Sequence, residues 1–328
     1  MMGRLAVIIR TLAIAGSLSA TVPAYATPYT FTTLDDPAGV NGTLAFGIND
    51  SGAVVGYYLD SGGVPRGFTE TGGVYSTLNF PGSDQTSAFG INAAGQVVGQ
   101  FNQSGGDFGF FDNGGTFMAI GYPSALRTET YGINAGGTIV GSYCSTAAAC
   151  PLTATNGWHG FTYAGGAFTL LDYPGAATGS ILTGINGAGT VVGTYDVNLN
   201  GYGAHGYIET GGSYTMLDDP AATSGTTAFA INDSGTIVGT YDLTAGGTGL
   251  HGFVDNSGSF STIDDPSANG GTVPRGINSQ GTVVGYYVDD TGYHGFIATP
   301  ALVVPEPSSI LLFVAALAGL IFARRRHT

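Results

Sequence analysis

The chain has 328 residues, of which 9% are charged, 57 are Gly and none is Lys, and its formal net charge is −14. Scarce Lys and Glu argue against an α-helical body, while 43% hydrophobic residues, with 18 Phe and 18 Tyr, argue against disorder. Five of the eight Arg lie in the first ten or last five residues, so 27–304 keeps three Arg against 21 acids, a charge of −18 that excludes nucleic acid as a partner of this body.

In chain order, the first element is a secretion signal. Arg4 and Arg10 precede an apolar stretch from Thr11 to about Val22, and Ala24-Tyr25-Ala26 follows. Two small residues, Ala24 and Ala26, flanking a larger one suit signal peptidase, which places the cut after Ala26 and makes 1–26 a signal peptide. The apolar run is short for a span, which disfavours an uncleaved anchor.

From 27 to 300 the sequence repeats. GIN, once AIN, puts Asn at 49, 92, 134, 186, 232 and 278, with gaps of 42 to 52 residues. A Gly-containing turn follows each Asn, then V-V-G or I-V-G, then a triplet like H-G-F, then a block like T-L-D-D-P. The triplet begins with His159, His205, His251 and His294 in four copies, and with Arg66 and Phe108 in the other two. Asn opening a turn and Gly closing it at positive φ join antiparallel neighbours, and Gly-Gly pairs such as Gly72-Gly73 do the same between the third and fourth strands. Each unit then holds four short antiparallel strands and is too small to bury a core alone, which is the signature of a propeller blade. The fold predicted is an all-β, six-bladed β-propeller. Its longest links fall between D-D-P and the next GIN, so blades run GIN, VVG, HGF, TLD. The sixth copy lacks a fourth strand, and the orphan block Phe31–Pro37 supplies it and closes the ring.

The pattern G-I-N-x-x-G-x-V-V-G followed by H-G-F resembles the HAF repeat of extracellular proteins over nearly all of 28–299. The resemblance implies secretion and no defined activity. Arg66 and Phe108 depart from its His.

Chemistry-bearing residues read mostly as scaffold. The four His recur at equivalent positions, which suits a hydrogen bond to a neighbouring strand or loop better than a metal ring. Cys144 and Cys150 suit one local disulfide in an oxidising compartment. Asp196, Asn198 and Asn200 match the opening of a calcium loop, but its closing Glu is missing, so an ordinary polar turn competes with calcium there. No cofactor is required, and calcium stays open as a ligand. Paired Asp residues repeat with the scaffold, and nothing in the sequence brings Glu70, Glu129 and Glu209 together as a catalytic set. The body reads as non-catalytic, with the acidic loop face, carrying the VVG-to-HGF and D-D-P connections, as its binding surface. The alternative is a glycan- or calcium-dependent lectin-like module; a propeller glycosidase or lyase is less favoured.

The last element, 301–328, holds Pro305-Glu306-Pro307, an apolar run Ile310–Ala323, and Arg324, Arg325 and Arg326. Order and spacing resemble the PEP-CTERM sorting signal of Gram-negative bacteria. That resemblance implies an inner-membrane stage with a periplasmic ectodomain, recognition by an exosortase-type enzyme, and removal of the tail. Delivery to the envelope or extracellular matrix follows, with exopolysaccharide and biofilm as the expected setting. A permanent single-span anchor is the alternative, with the Arg cluster cytoplasmic in both cases.

Overall fold

A computed structural model of the chain describes residues 29–145, 157–176, 179–196, 203–244 and 249–301. Among these the structure holds 24 strands and no helix. The first repeat shows how its residues build a unit. The inner strand Thr43–Ile48 pairs with Val54–Leu59, that with Pro65–Thr71, and that with the outer strand Val74–Leu78. Gly52 closes the first turn at φ 82°, where a Cβ would be strained. The Oδ1 of Asn49 accepts the backbone N–H of Ser51 and Ala53 at 3.1 and 3.0 Å.

The Gly of V-V-G answers to packing rather than to a turn. A Cβ on Gly56 would run into the Leu44 carbonyl and lie 2.9 Å from the Phe68 ring. Phe68 is wholly buried, as are its equivalents Phe110, Phe161, Tyr207, Phe253 and Phe296. The second strand thus lacks a side chain where the third inserts a ring, so V-V-G and H-G-F form one packing unit.

The core lies between units. Val55 of the first repeat packs with Ala88, Val97, Phe101 and Phe110 of the second. Val284 of the last packs with Ala45, Val54 and Phe68 of the first. Burial at about 25 cal/mol per Å² is therefore realised by the set of units and not by one alone.

Two devices close the chain on itself. The N-terminal strand Tyr29–Leu34 pairs antiparallel with Gly292–Pro300, with Phe31 opposite Ala298 and Leu34 opposite Gly295. At the opposite end of the units, the Nδ2 of each GIN Asn donates to the backbone carbonyl of the next repeat's Asn. The series runs 49 to 92, 134, 186, 232, 278 and back to 49, at 3.0–3.3 Å. These Asn are turn formers, as the sequence suggests, and rivets between neighbours as well.

The sheet count departs from six separate blades. Four four-stranded sheets stand alone, whereas the second and third repeats run as one eight-stranded sheet. A single parallel bridge from Arg127 to Asp107 fuses them, and the two side chains form an ion pair at 2.6 Å. The cause is local. Gly42, Gly179, Gly225 and Gly271, all at positive φ, occupy the position of Arg127 in four other repeats and offer no side chain to pair with the previous unit. The propeller-like arrangement of antiparallel four-strand units persists through the fused sheet.

Candidate functional site

Strand direction sets two ends. The N-x-x-G and Gly-Gly turns share one, and the starts of the third strands share the other with the D-D-P connections. At this loop end each triplet His meets the first Asp of a D-D-P or D-Y-P block. Nδ1 of His159, His205, His251 and His294 lies 2.7–2.9 Å from a carboxylate oxygen of Asp172, Asp218, Asp264 and Asp35 respectively. A second-strand Tyr lies beside each imidazole, with Tyr143, Tyr195, Tyr241 and Tyr287 centroids 5.2–5.4 Å away. The sequence foresaw a hydrogen bond for these His but not its partner. A signal was present: the two repeats without His, at Arg66 and Phe108, carry Asn79 and Gly121 where the others carry that Asp. Arg66 turns instead to Asp60 at 3.1 Å.

The remaining acids of this end are engaged in the same manner. Asp36, Asp219 and Asp265, the second Asp of each D-D-P, are buried and accept the N–H of Ala38, Ala221 and Ser267. Asp60 also accepts the N–H of Gly62 and Val64, which with Arg66 holds its carboxyl below the usual range. A calcium ion at this face would have to displace such partners, and no three His, Cys, Asp or Glu side chains converge on a metal position among the described residues. Asp196 is buried at the end of Val191–Asp196, while Asn198 and Asn200 lie outside the described residues. Cys144 is buried and is not a free thiol; Cys150 lies outside them, as do Ala24, Ala26, Pro305, Glu306, Pro307, Arg324, Arg325 and Arg326.

The three Glu do not form a set. Glu70 and Glu209 cap the Gly-Gly turns through the N–H of Gly73 and Gly212. Glu129 stands apart: the Tyr131 hydroxyl donates to it, and burial pushes its carboxyl up. Tyr131 itself belongs to a second region. Every inner strand carries a β-bulge at the residue before the Gly of GIN, or before Ala230 in the one AIN copy, namely at Phe46, Phe89, Tyr131, Thr183, Phe229 and Arg275. Bulges re-aim side chains, and these six line an axial cavity of about 150 Å³ at the Asn-turn end. Periodicity at the sequence level does not show a bulge. The varied residue before an otherwise uniform GIN was the signal available.

Residues 303–326 match the PEP-CTERM protein-sorting motif, on the tail that the sequence marks for sorting. The motif implies export with a C-terminal membrane anchor and handling by exosortase-type machinery. Among the described residues no helix is long and apolar enough to cross a membrane, and the tail lies outside them. No curated protein matches the chain. Among solved structures, AofleA from Arthrobotrys oligospora is 13% identical, with 83% of this chain and 94% of that chain covered at a TM-score of 0.51. A gluconolactonase from Xanthomonas campestris is also 13% identical, covering 83% of this chain and 90% of its own at 0.50. The Aleuria aurantia lectin in complex with Fucα1-6GlcNAc, at 12% identity over 82% of this chain and 97% of that chain, reaches 0.47 and carries no weight here. At these identities the likeness is one of fold, and no activity follows from it.

Proposed function

We propose that the chain is an exported, non-catalytic component of the cell surface or extracellular matrix, handed over by its C-terminal sorting signal. The six repeats act as six blades of one closed propeller, the eight-stranded sheet serving as two of them. Residues 1–26 are its signal peptide, 27–300 its ectodomain, and 301–328 the segment read by an exosortase-type enzyme, with matrix polysaccharide as the partner outside. The observation that carries this reading is the sorting motif beginning at 303, three residues past the last strand, on a body whose acids are engaged in its own loops. The HAF-like repeat agrees with secretion.

Intact-mass measurement on protein recovered from envelope and medium tests the reading. The expected mass lacks residues 1–26 and the tail from about Ser308. Retention of Arg324–Arg326 in mature protein would leave a permanent anchor in its place. A second reading, a glycan- or calcium-dependent lectin-like module, draws on an open cleft of about 340 Å³ beside His205 and Asp218, where Thr223–Thr226 approach from the next connection. Pull-down on a carbohydrate array, with and without chelator, separates the two.

A further inference from the structure

We propose that the axial cavity is a binding site for a carboxylate carried on a sugar ring, as at a uronic acid of an acidic polysaccharide, with Arg275 as the carboxylate ligand. The first ground is charge. Of the three Arg in 27–304, Arg66 and Arg127 are held by Asp60 and Asp107, whereas Arg275 pairs with no carboxylate among the described residues. Its Nε is buried without a hydrogen-bond partner. An unpaired guanidinium at the axis of a body carrying −18 calls for an anion.

The second ground is the wall. Arg275 sits on the bulge of the last repeat, and its guanidinium carbon lies 3.9 Å from the Phe229 ring centroid and 5.0 Å from that of Phe46. Phe46 contacts Phe89, and Phe89 stacks on Tyr131, at centroid distances of 4.9 and 5.6 Å. Four aromatic rings and one cation therefore occupy five of the six bulge positions. The sixth, Thr183, turns its hydroxyl to the carbonyls of Val192 and Ala228. All five are half-buried and line the cavity. A space of about 150 Å³ has the size that admits one six-membered ring. Aromatic faces pack against the apolar face of a saccharide, and a planar guanidinium binds carboxylate through two parallel hydrogen bonds.

The mouth adds selectivity. Asp50 and Asp233 border it, and their Oδ1 atoms accept the N–H of Ser279 and Gly187 at 2.8 and 2.6 Å. They repel an approaching anion, so binding rests on the short-range contact with Arg275 and not on a long-range field. A purely packing role for Arg275, plugging the axis through its ring contacts, would give no preference for charge. Assignment of the ring to matrix polysaccharide rests on the surface-component reading; the site itself does not.

The test is calorimetric titration of the full-length protein in mild detergent with sodium D-glucuronate and with the methyl ester of the same acid. The acid is expected to bind with a Kd on the order of 1 mM or tighter, and the ester at least about tenfold more weakly. Arg275→Gln should abolish that difference. Should that variant fail to fold, the acid-to-ester comparison on the wild type decides alone, and a double variant at the mouth, Asp50→Asn with Asp233→Asn, adds a gain of function. It keeps both Oδ1 acceptors while removing both charges, and should tighten acid binding severalfold. Equal binding of acid and ester, no binding of either, or no tightening in the double variant would overturn the proposal. None of these outcomes touches the mass of the sorted protein, so failure here is separable from failure of the sorting reading.

Discussion

The two ends of the repeat ladder are made from the same six units and follow different rules. At the turn end every unit keeps its Asn, each is buried, and each donates across a boundary to the next unit. At the loop end the His–Asp pair joins strands of one blade, and two units have lost both members together. A contact that crosses units can be changed only with its neighbour's consent. A contact inside one unit can be exchanged for another local solution, as Arg66 with Asp60 shows.

The sharpest way to break this comparison is to cut one rivet. Asn232→Ala removes the bond to the Asn278 carbonyl and the three bonds that its Oδ1 accepts, from the N–H and hydroxyl of Ser234 and from the N–H of Thr236. With about 1–3 kcal/mol lost for each buried group left unpaired, the variant should be destabilised by roughly 3 kcal/mol or more, read as a drop in urea midpoint. If Asn232→Ala unfolds at the wild-type midpoint, the ring of Asn carries no closure.

A smaller effect is expected at the other end. His251→Ala breaks one partly exposed hydrogen bond to Asp264, and contacts of that kind contribute at most about 1 kcal/mol. The double change His251→Phe with Asp264→Gly copies what the second repeat carries at Phe108 and Gly121. It should be no less stable than His251→Ala in the same denaturant titration. Destabilisation as large as that of the Asn variant would erase the distinction between the ends.

Much of this architecture is legible in the sequence, because local rules set it. Turn chemistry at Asn49 and Gly52 and the missing fourth strand of the last copy suffice for strand order and for the pairing of Phe31–Leu34 with the chain's other end. What escapes is what depends on two units at once. Fusion of the second and third repeats hangs on one residue, Arg127, whose partner Asp107 belongs to the previous unit. The Nδ2 bonds of the Asn ring run over 42 to 52 residues, or 229 at the closure, beyond any local rule. The axial site escapes for the opposite reason. A repeat is read by what its copies share, and the cavity is made by what they do not share at Phe46, Thr183 and Arg275. Binding expected at the acidic loop face therefore shifts, in the proposal made here, to the turn end.

The finest test uses the one His–Asp pair that is both a loop-end pair and a closure. His294 reaches Asp35 on the N-terminal strand at 2.9 Å, while its Nε2 lies 2.7 Å from the Thr291 hydroxyl and 3.3 Å from Asp289. Burial pulls its pKa down, but the hydrogen bond and charge of Asp35, joined by the charge of Asp289, outweigh burial and raise it above 6.5. A raised folded-state value means that the proton is held more tightly in the folded protein. The stabilisation is then complete below pH 6.5 and is lost as pH climbs through the raised value. The melting temperature should fall across that interval, by an amount corresponding to about 1 kcal/mol at most for a partly exposed pair. His294→Gln should lose this slope while keeping the fold. Hydrogen exchange localises the effect: amides of residues 29–34 should open more readily above that pH in the wild type, beyond the intrinsic rise in exchange rate, and not in the variant. Matching slopes in the two proteins would show that the clasp between the chain's ends is indifferent to the proton on His294.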